Sequence, residues 1–178
     1  MQSKKIAEVP IQIVDSTTGY KKKIIVKKFQ SKDGIIETFF IDKNKDSVQI
    51  LPITTDNQIV TVLQFRPNFE KEVCELPGGG LEEDEDPILA AERELLEETG
   101  YKGNLLHISS IPYNPYSTGL RHFFAATDCI KVKEQNLDPG EFVKIKIWDM
   151  LNFRTEIMNG RIRGGADSYM AFDKLRIL

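Results

Sequence analysis

The chain of 178 residues contains only two cysteines, Cys74 and Cys129, too few for a disulfide framework or a cysteine-based metal site. We expect both to be buried or half-buried thiols. The sequence also lacks an apolar run long enough to span a membrane, and its N-terminus lacks the apolar segment of a secretion signal. No membrane association and a cytoplasmic location are therefore expected.

An excess of positive charge is also missing, because 24 lysines and arginines are set against 27 aspartates and glutamates. The formal net charge of −3 provides no broad cationic field and argues against a nucleic-acid partner. A small anionic ligand would need locally placed arginines or bound cations. The lysines at Lys21–Lys23, Lys27 and Lys28 form either an anion patch or the solvated edge of a strand.

Segments rich in Ile, Val and Phe predict strands through the first third of the chain and again after its middle. The predicted strands are Ile6–Val14, Lys21–Phe29, Ile35–Ile41, Val48–Thr54, Ile59–Phe65, Leu105–Ser109, Arg121–Ala126 and Phe142–Trp148. Turn residues predict turns at Thr17–Gly19 and Ser31–Gly34, and a hairpin turn at Thr55–Gln58.

A helix is predicted from Pro87, with Asp86 as its cap and Gly100 at its end. Two short helices are expected near Met150–Met158 and Ser168–Lys174. Strands on both sides of a helix predict a mixed α/β fold. Without repeats or Pro/Gly linkers, we expect one compact unit, with a β-rich extension over residues 1–45 and the main domain over residues 46–178.

The predicted helix carries an unusual group of acidic residues. Glu94 lies three and four residues before Glu97 and Glu98, so the three side chains share one surface and repel one another. Glu98 also lies near the negative end of the helix dipole. Such carboxylates either bind a hard cation such as Mg²⁺ or Mn²⁺, or form a solvated acidic face.

The spacing around these glutamates favours the first alternative. The sequence GGLEEDEDPILAAERELLEETGY follows the pattern G-x5-E-x7-R-E-U-x-E-E-x-G-U, in which U is apolar or aromatic. It fills every position of the Nudix box, and the chain is identified as resembling the Nudix hydrolases. The positions filled are Gly79, Glu85, Arg93, Glu94, Leu95, Glu97, Glu98, Gly100 and Tyr101.

The resemblance implies an α/β/α sandwich with a mixed sheet, in which the box forms a loop, a helix and a loop. It implies a Mg²⁺ site, with Mn²⁺ as a substitute, at Glu94, Glu97 and Glu98, and the ion would activate a water molecule. Arg93 resembles the family arginine that orients the glutamates, although a surface arginine is the alternative. Glu85, Gly79 and Gly100 would shape the motif.

Gly78 either contributes its carbonyl oxygen to the metal site or is a structural glycine.

Upstream, QFRPNFEKEVCELPGGG resembles the branch that hydrolyses ADP-ribose and nucleoside diphosphate sugars. That likeness assigns Arg66 to a substrate phosphate, the alternative being a salt bridge with Glu75. Glu75 would assist the metals or hold Arg66.

Downstream, Pro115 lies near a proline of that branch, but the local sequence NPYSTG departs from the usual Pro-Gly pair. Pro115 is therefore either a specificity residue or a turn residue. A mobile loop beyond the box carries a catalytic glutamate in this branch. Glu141 is the best match, with Glu134 and Asp138 as rivals.

Members of this branch often form a homodimer through N-terminal strands, and a partner aromatic stacks on the base. Phe29, Phe39 and Phe40 are candidates for that aromatic or core residues. Arg161 and Arg163, in the sequence GRIRGG, contact phosphates or are exposed loop charges.

The sequence thus predicts hydrolysis of a nucleoside diphosphate sugar, such as ADP-ribose, to a nucleoside monophosphate and a sugar phosphate. Two alternatives remain. One is a nucleoside triphosphate or RNA 5′-end pyrophosphohydrolase, which would share the box. The other is a catalytically silent, nucleotide-sensing module, although such proteins usually lose glutamates of the box.

Overall fold

The computed structural model describes residues 3–14, 21–138 and 140–177, and the chain divides into two compact units. The first unit contains Met1–Asp46 and Ile111–Leu120, and the second contains Ser47–Ser110 and Arg121–Leu178. The first unit therefore combines the N-terminal strands with a segment from the middle of the chain.

The N-terminal strands of the first unit form an antiparallel sheet in the order β1-β2-β3. The strands are β1 (Lys4–Val14), β2 (Lys21–Gln30) and β3 (Ile36–Asp42). The turn predicted at Ser31–Gly34 is present, because Gly34 has φ of 82° and its N–H donates to the Ser31 carbonyl over 3.1 Å. The turn predicted at Thr17–Gly19 lies outside the described residues.

The second unit is built on a mixed seven-stranded sheet. Its strands are β4 (Ser47–Thr54), β5 (Gln58–Arg66), β6 (Lys71–Glu75), β7 (Tyr101–Pro112), β8 (Leu120–Lys131), β9 (Val143–Asp149) and β10 (Ile162–Arg163). They lie in the order β10-β6-β5-β4-β8-β7, and β9 also pairs with β5. Strands β4 and β8 are parallel, as are β6 and β10, whereas β5 is antiparallel to β4, β6 and β9.

Helices cover both faces of this sheet. The helices are α1 (Pro87–Thr99), α2 (Met150–Met158) and α3 (Ser168–Leu175). On β4, Val48 and Ile50 pack in the cluster that contains α1, whereas Leu51 and Ile53 pack in the cluster that contains α2 and α3. Successive residues of a strand point to opposite faces, so a strand buried on both sides reads as one apolar run. The structure confirms the expected α/β sandwich with an N-terminal antiparallel sheet.

The predicted strands and helices are all present, but their lengths differ in places and two strands were missed. Strand β7 extends well beyond the predicted Leu105–Ser109 at both ends. The missed strands, β6 (KEVCE) and β10 (IR), are short and charged, so neither shows the alternation of a strand. They form because β6 pairs with β5 on one side and with β10 on the other.

Cys74 and Cys129 are both free and buried, as predicted. Burial raises the pKa of both thiols, that of Cys129 to about 11, which disfavours the reactive thiolate. In the described part of the chain, none of the helices is long and apolar enough to cross a membrane.

Candidate functional site

Helix α1 begins and ends where its sequence predicts. The Asp86 side chain accepts a hydrogen bond of 2.9 Å from the amide two residues along, and Pro87 occupies the first turn. At the other end, Gly100 has φ of 73° and its N–H donates to the Leu96 carbonyl over 2.9 Å. A Cβ at Gly100 would overlap the carbonyl oxygen of Lys133, so both conformation and space require glycine. These fixed ends set which side chains of α1 face the preceding loop.

The glycine loop before α1 is held against strand β4. The carbonyl of Gly79 accepts a hydrogen bond of 2.9 Å from the Val48 amide. A Cβ at Gly78 would overlap the Val48 carbonyl oxygen, and one at Gly79 would overlap the carboxylate of Glu94. A Cβ at Gly80 would meet nothing within 4 Å. A Cβ at Gly78 would meet fixed backbone atoms, so glycine is required there, whereas Gly79 lets the loop lie directly against a carboxylate of the helix.

Arg93 joins three carboxylates of the box. It makes a bidentate pair with Glu85, with both distances 2.9 Å. Its Nη1 also donates to Glu94 at 2.9 Å and Glu97 at 3.2 Å, and its Nη2 donates to the Gly80 carbonyl at 3.1 Å. The hydrogen bonds raise the pKa of Arg93 and lower the pKa of Glu85. We call Arg93, Glu85, Glu94, Glu97 and Glu98 the acidic cluster.

Glu98 is the buried carboxylate of this cluster, and Glu94 beside it is half-buried. Burial, together with the charges of Glu94 and Glu141, raises the pKa of Glu98 to about 8, although the Gly78 amide donates to it over 2.8 Å. Burial also raises the pKa of Glu94, and the opposing effect of Arg93 does not cancel it. Neighbouring like-charged groups disfavour each other's ionised form, which a cation between them would stabilise.

The acidic cluster offers the type of donor atom that a divalent metal ion binds. Over residues 3–14, 21–138 and 140–177, no group of three His, Cys, Asp or Glu side chains is arranged to hold one. Arg93 donates hydrogen bonds to carboxylate oxygens of Glu94 and Glu97, and the Gly78 amide donates to Glu98. The donors nevertheless fit a hard divalent cation, because carboxylate oxygens are its preferred ligands and the buried Glu98 has no arginine partner in the described part of the chain.

Of the acidic residues on the loop after β8, Glu141 is the one whose charge acts on Glu94 and Glu98, where it contributes to the raised pKa of both. Its own carboxylate accepts a hydrogen bond of 3.2 Å from the Asp138 amide. Glu134 forms a 2.9 Å ion pair with a neighbouring lysine and its side chain is 88% exposed. Glu141 is therefore the member of the three that the structure links to the acidic cluster.

The base of that loop is tied to helix α1 by a residue that the sequence analysis missed. The side-chain amide of Gln135 donates to the carbonyls of both Glu98 and Val143, at the end of α1 and the start of β9. The Asn136 amide donates to the Glu97 carbonyl over 2.9 Å. Neither residue belongs to a motif, so only the folded chain reveals these contacts.

Arg66 and Arg163 share one buried carboxylate, that of Glu75. Arg66 forms a bidentate pair with Glu75, at 2.6 and 2.9 Å, and Arg163 donates to the same group at 2.7 Å. Burial acts to raise the pKa of Glu75, but the two arginines outweigh it and hold this pKa below its ordinary value. We call Arg66, Glu75 and Arg163 the arginine cluster.

The arginine cluster combines expected and unexpected contacts. The salt bridge between Arg66 and Glu75, one of the two alternatives for Arg66, is present. The sequence analysis left Arg163 between phosphate contact and exposed charge, and it missed the pairing with Glu75. That pairing exists because β10 lies parallel to β6 with Arg163 opposite Glu75, and β10 was not predicted. Arg161, its neighbour in the sequence, pairs with Glu156 at 2.9 Å instead.

The remaining candidates lie in the first unit. Pro115 lies in an exposed turn in which the Asn114 side chain accepts a hydrogen bond of 2.7 Å from the Tyr116 amide. Phe29 and Phe39 contact each other edge to face, with ring centroids 5.7 Å apart. Phe40 is 62% exposed.

Comparison with known proteins gives a family match over most of the chain. The family model described as the NUDIX domain matches residues 43–159. The chain is 36% identical over 108 residues to an ADP-ribose pyrophosphatase of Bacillus subtilis (strain 168), covering 59% of this chain and 58% of that protein. It is 33% identical over 131 residues to a methanol dehydrogenase activator of Bacillus methanolicus, covering 72% of this chain and 71% of that protein.

A shorter match, 41% identical over 71 residues, is to an ADP-sugar pyrophosphatase of Mus musculus, covering 38% of this chain and 33% of that protein. The match thus spans less than two thirds of the length of two of these relatives, 58% of the Bacillus subtilis protein and 33% of the Mus musculus protein. A crystal structure of an ADP compounds hydrolase has a similar fold, with a TM-score of 0.72 at 16% identity, over 89% of this chain and 84% of that one. A complete box on a capped helix, a sandwich of the same fold and a family match over residues 43–159 agree, and the chain belongs to the Nudix family.

Proposed function

We propose that the protein hydrolyses the diphosphate bond of a nucleoside diphosphate sugar, such as ADP-ribose, to a nucleoside monophosphate and a sugar phosphate. The observation that carries this proposal is that the acidic cluster and the arginine cluster are adjacent. Glu75 of the arginine cluster lies three residues before Gly78, whose amide donates to the Glu98 carboxylate over 2.8 Å. The names of the Bacillus subtilis and Mus musculus relatives support the substrate class.

The proposed cofactor is a divalent cation, Mg²⁺ or Mn²⁺. Glu94 and Glu98 would hold it, with Glu97 and the carbonyl oxygen of Gly78 as further donors. When bound, the cation neutralises phosphate charge and lowers the pKa of a coordinated water. Arg93 holds the glutamate side chains in place through the hydrogen bonds described above, which limits the reorganisation needed for binding.

The protein's own groups have separate roles in this proposal. The Nε and Nη2 atoms of Arg66 donate to Glu75, and its Nη1 binds a non-bridging phosphate oxygen of the substrate. Glu141 accepts the proton of the attacking water, which its exposed position on the loop allows. Water attack on one phosphorus breaks the bond to the bridging oxygen, and that oxygen leaves with the second phosphate.

The proposal is tested by incubating the purified protein with ADP-ribose, ADP-glucose, GDP-mannose, dNTPs and capped RNA, each with Mg²⁺, with Mn²⁺ and with EDTA. We expect monophosphate and sugar phosphate from one of the nucleotide sugars, and no turnover in EDTA. Preferential release of pyrophosphate from dNTPs, or of the cap from RNA, would contradict a nucleoside diphosphate sugar as the substrate. Nucleotide binding without turnover of any compound would identify a silent sensing module instead.

The role of Glu141 is tested by Glu141→Gln, with Glu134→Gln as a matched control on the same segment. Loss of a general base typically costs about 10²–10⁴-fold in rate. We therefore expect kcat to fall by at least about 100-fold in Glu141→Gln and to change little in Glu134→Gln. The reverse pattern would assign the base to Glu134.

We also propose that the chain forms a homodimer through strands β1–β3. The support is a sheet with apolar side chains left exposed, such as Val9 at 53%, Ile13 at 53% and Phe40 at 62%. Light scattering after size-exclusion chromatography should give twice the 20.3 kDa chain mass. Val9→Glu with Ile13→Glu should yield a monomer, whereas Met158→Glu, at a 76% exposed site of the second unit, should not. A monomeric wild type would refute the dimer.

A further inference from the structure

The Glu75 carboxylate has more positive charge around it than it needs for neutrality, because Arg163 contacts it in addition to Arg66. Glu75 is 4% exposed and already forms a bidentate pair with Arg66, which by itself neutralises the carboxylate. Arg163 then adds a second guanidinium group to the Oε2 atom that Arg66 also contacts. Two guanidinium groups on one carboxylate leave an excess positive charge, which a bound anion would neutralise.

Arg163 is also free to contact a ligand. Its side chain is 57% exposed, and within the described part of the chain Nη1 is its one nitrogen with a hydrogen-bond partner. An anion could therefore reach the Nε and Nη2 donors, which form the fork that suits two phosphate oxygens. Glu75 would keep the guanidinium plane oriented while the anion binds.

The backbone fixes Arg163 in this position. The preceding residue, Ile162, is 5% exposed in the core and pairs with Cys74 of β6. The following residue, Gly164, has φ of 72°, and a Cβ there would overlap the side chain of Gln49. A guanidinium group held on a paired strand loses little freedom when it binds a phosphate.

We propose that Arg163, together with Arg66, binds the diphosphate of the substrate, and that the two arginines contact its two phosphates. The inference rests on the proposed function for the identity of the substrate. It follows from the geometry because Glu75, which holds both arginines, lies three residues before Gly78, whose amide donates to the Glu98 carboxylate over 2.8 Å, so an anion on the arginine cluster would lie beside the acidic cluster. Arg163 is thereby assigned to ground-state binding of the phosphates.

Steady-state kinetics with ADP-ribose test this assignment. A hydrogen bond between charged groups contributes enough that its loss weakens binding roughly 10- to 100-fold. We expect Arg163→Gln to raise KM by about that factor, with kcat within a few-fold of wild type. Arg163→Lys should recover only part of the loss, because an ammonium group lacks the planar fork.

Arg161→Gln is the matched control, since Arg161 is two residues away, is 65% exposed and pairs with Glu156 instead of Glu75. It should leave KM unchanged. Equal kinetics for Arg163→Gln and Arg161→Gln would overturn the assignment. Thermal melts of all variants show whether loss of the Glu75 contact unfolds the chain. If Arg163→Gln does unfold, Arg163→Lys and chemical modification of the wild type by phenylglyoxal replace it. ADP should then protect Arg163, but not Arg161, from modification by phenylglyoxal.

Binding of ADP in EDTA separates this inference from the proposed function. We expect the Kd for ADP to rise about 10-fold in Arg163→Gln and to be unaffected in Arg161→Gln. If no nucleotide sugar is hydrolysed but this difference in Kd is seen, the proposed function fails and the role of Arg163 stands. If ADP-ribose is hydrolysed and Arg163→Gln changes neither KM nor Kd, the role of Arg163 fails alone. No ADP binding by the wild type would also overturn it.

Discussion

The acidic cluster and the arginine cluster are built on opposite charge ratios. In the acidic cluster one arginine, Arg93, contacts three carboxylates, and in the arginine cluster one carboxylate, Glu75, contacts two arginines. Neither cluster balances its own charge. The first is left with excess negative charge and the second with excess positive charge.

This difference matches the two halves of a metal–diphosphate ligand. Excess carboxylate suits a divalent cation, and excess guanidinium suits phosphate oxygens. Local neutrality would favour the stability of the empty protein, so unbalanced buried charge is more typical of a binding site than of a structural salt bridge. Three variants and one pH dependence test whether the two clusters differ in this way, starting with the largest expected effect.

Glu98→Gln should have the largest effect, in the acidic cluster. Removing a residue that hydrogen-bonds a metal ligand lowers metal affinity or activity by about 10- to 100-fold, and removing the ligand itself lowers it more. We expect kcat/KM for the best nucleotide sugar to fall by at least about 100-fold, with the melting temperature retained. Glu92→Gln, at an exposed position of the same helix, is the control and should keep wild-type activity. Equal activity of the two variants would remove Glu98 from the proposed metal site.

Glu75→Gln should act on stability, in the arginine cluster. It removes the negative charge between two guanidinium groups while keeping the shape of the side chain. We expect the free energy of unfolding in urea to fall by roughly 2 kcal/mol, as for loss of hydrogen bonds to charged groups. Glu72→Gln removes an exposed carboxylate of the same strand, paired with Lys144, and should cost less than about 0.5 kcal/mol. Equal stabilities would mean that Glu75 does not hold the arginines.

Gly79→Ala should have a smaller effect, confined to the acidic cluster. Its Cβ would overlap the carboxylate of Glu94, which must then rotate away from the loop. We expect kcat/KM to fall about 10-fold, since displaced site groups lose their productive geometry. Gly80→Ala is the control, because a Cβ there meets nothing within 4 Å. Similar losses in both variants would show that loop flexibility, and not the position of Glu94, limits activity.

The smallest effect expected is on the pH dependence of stability in EDTA. The pKa of Glu98 is raised from 4.5 to about 8, so the folded protein keeps a proton that the unfolded chain has lost. Its contribution to stability therefore falls as pH rises from about 4.5 to about 8. The pKa of Glu75 lies below 4.5, so its contribution is present above that pH and is lost as pH falls further.

Melting curves across this range should separate the two carboxylates. Glu98→Gln should flatten the decline in melting temperature above about pH 5, and Glu75→Gln should flatten the decline at acidic pH. If both substitutions acted in the same pH window, the contrast between the clusters would be wrong.

Much of the fold could be predicted because its signals are local. The ends of α1 follow from a capping aspartate, a proline and a glycine, all of which act within one turn of the helix. The long strands show apolar runs that reflect burial on both faces. Strand β10 has no such signal, because two residues pair with β6 only when the chain between them has folded.

The sequence by itself determined the acidic helix, its caps and the membership of the family, since the box is a contiguous pattern whose spacing encodes one helical surface. Only the tertiary structure decided that Arg163 joins Arg66 on Glu75 and that Gln135 ties the Glu141 loop to α1. These contacts join residues that lie far apart in the chain. Their formation depends on strand pairing and burial, which no local pattern records.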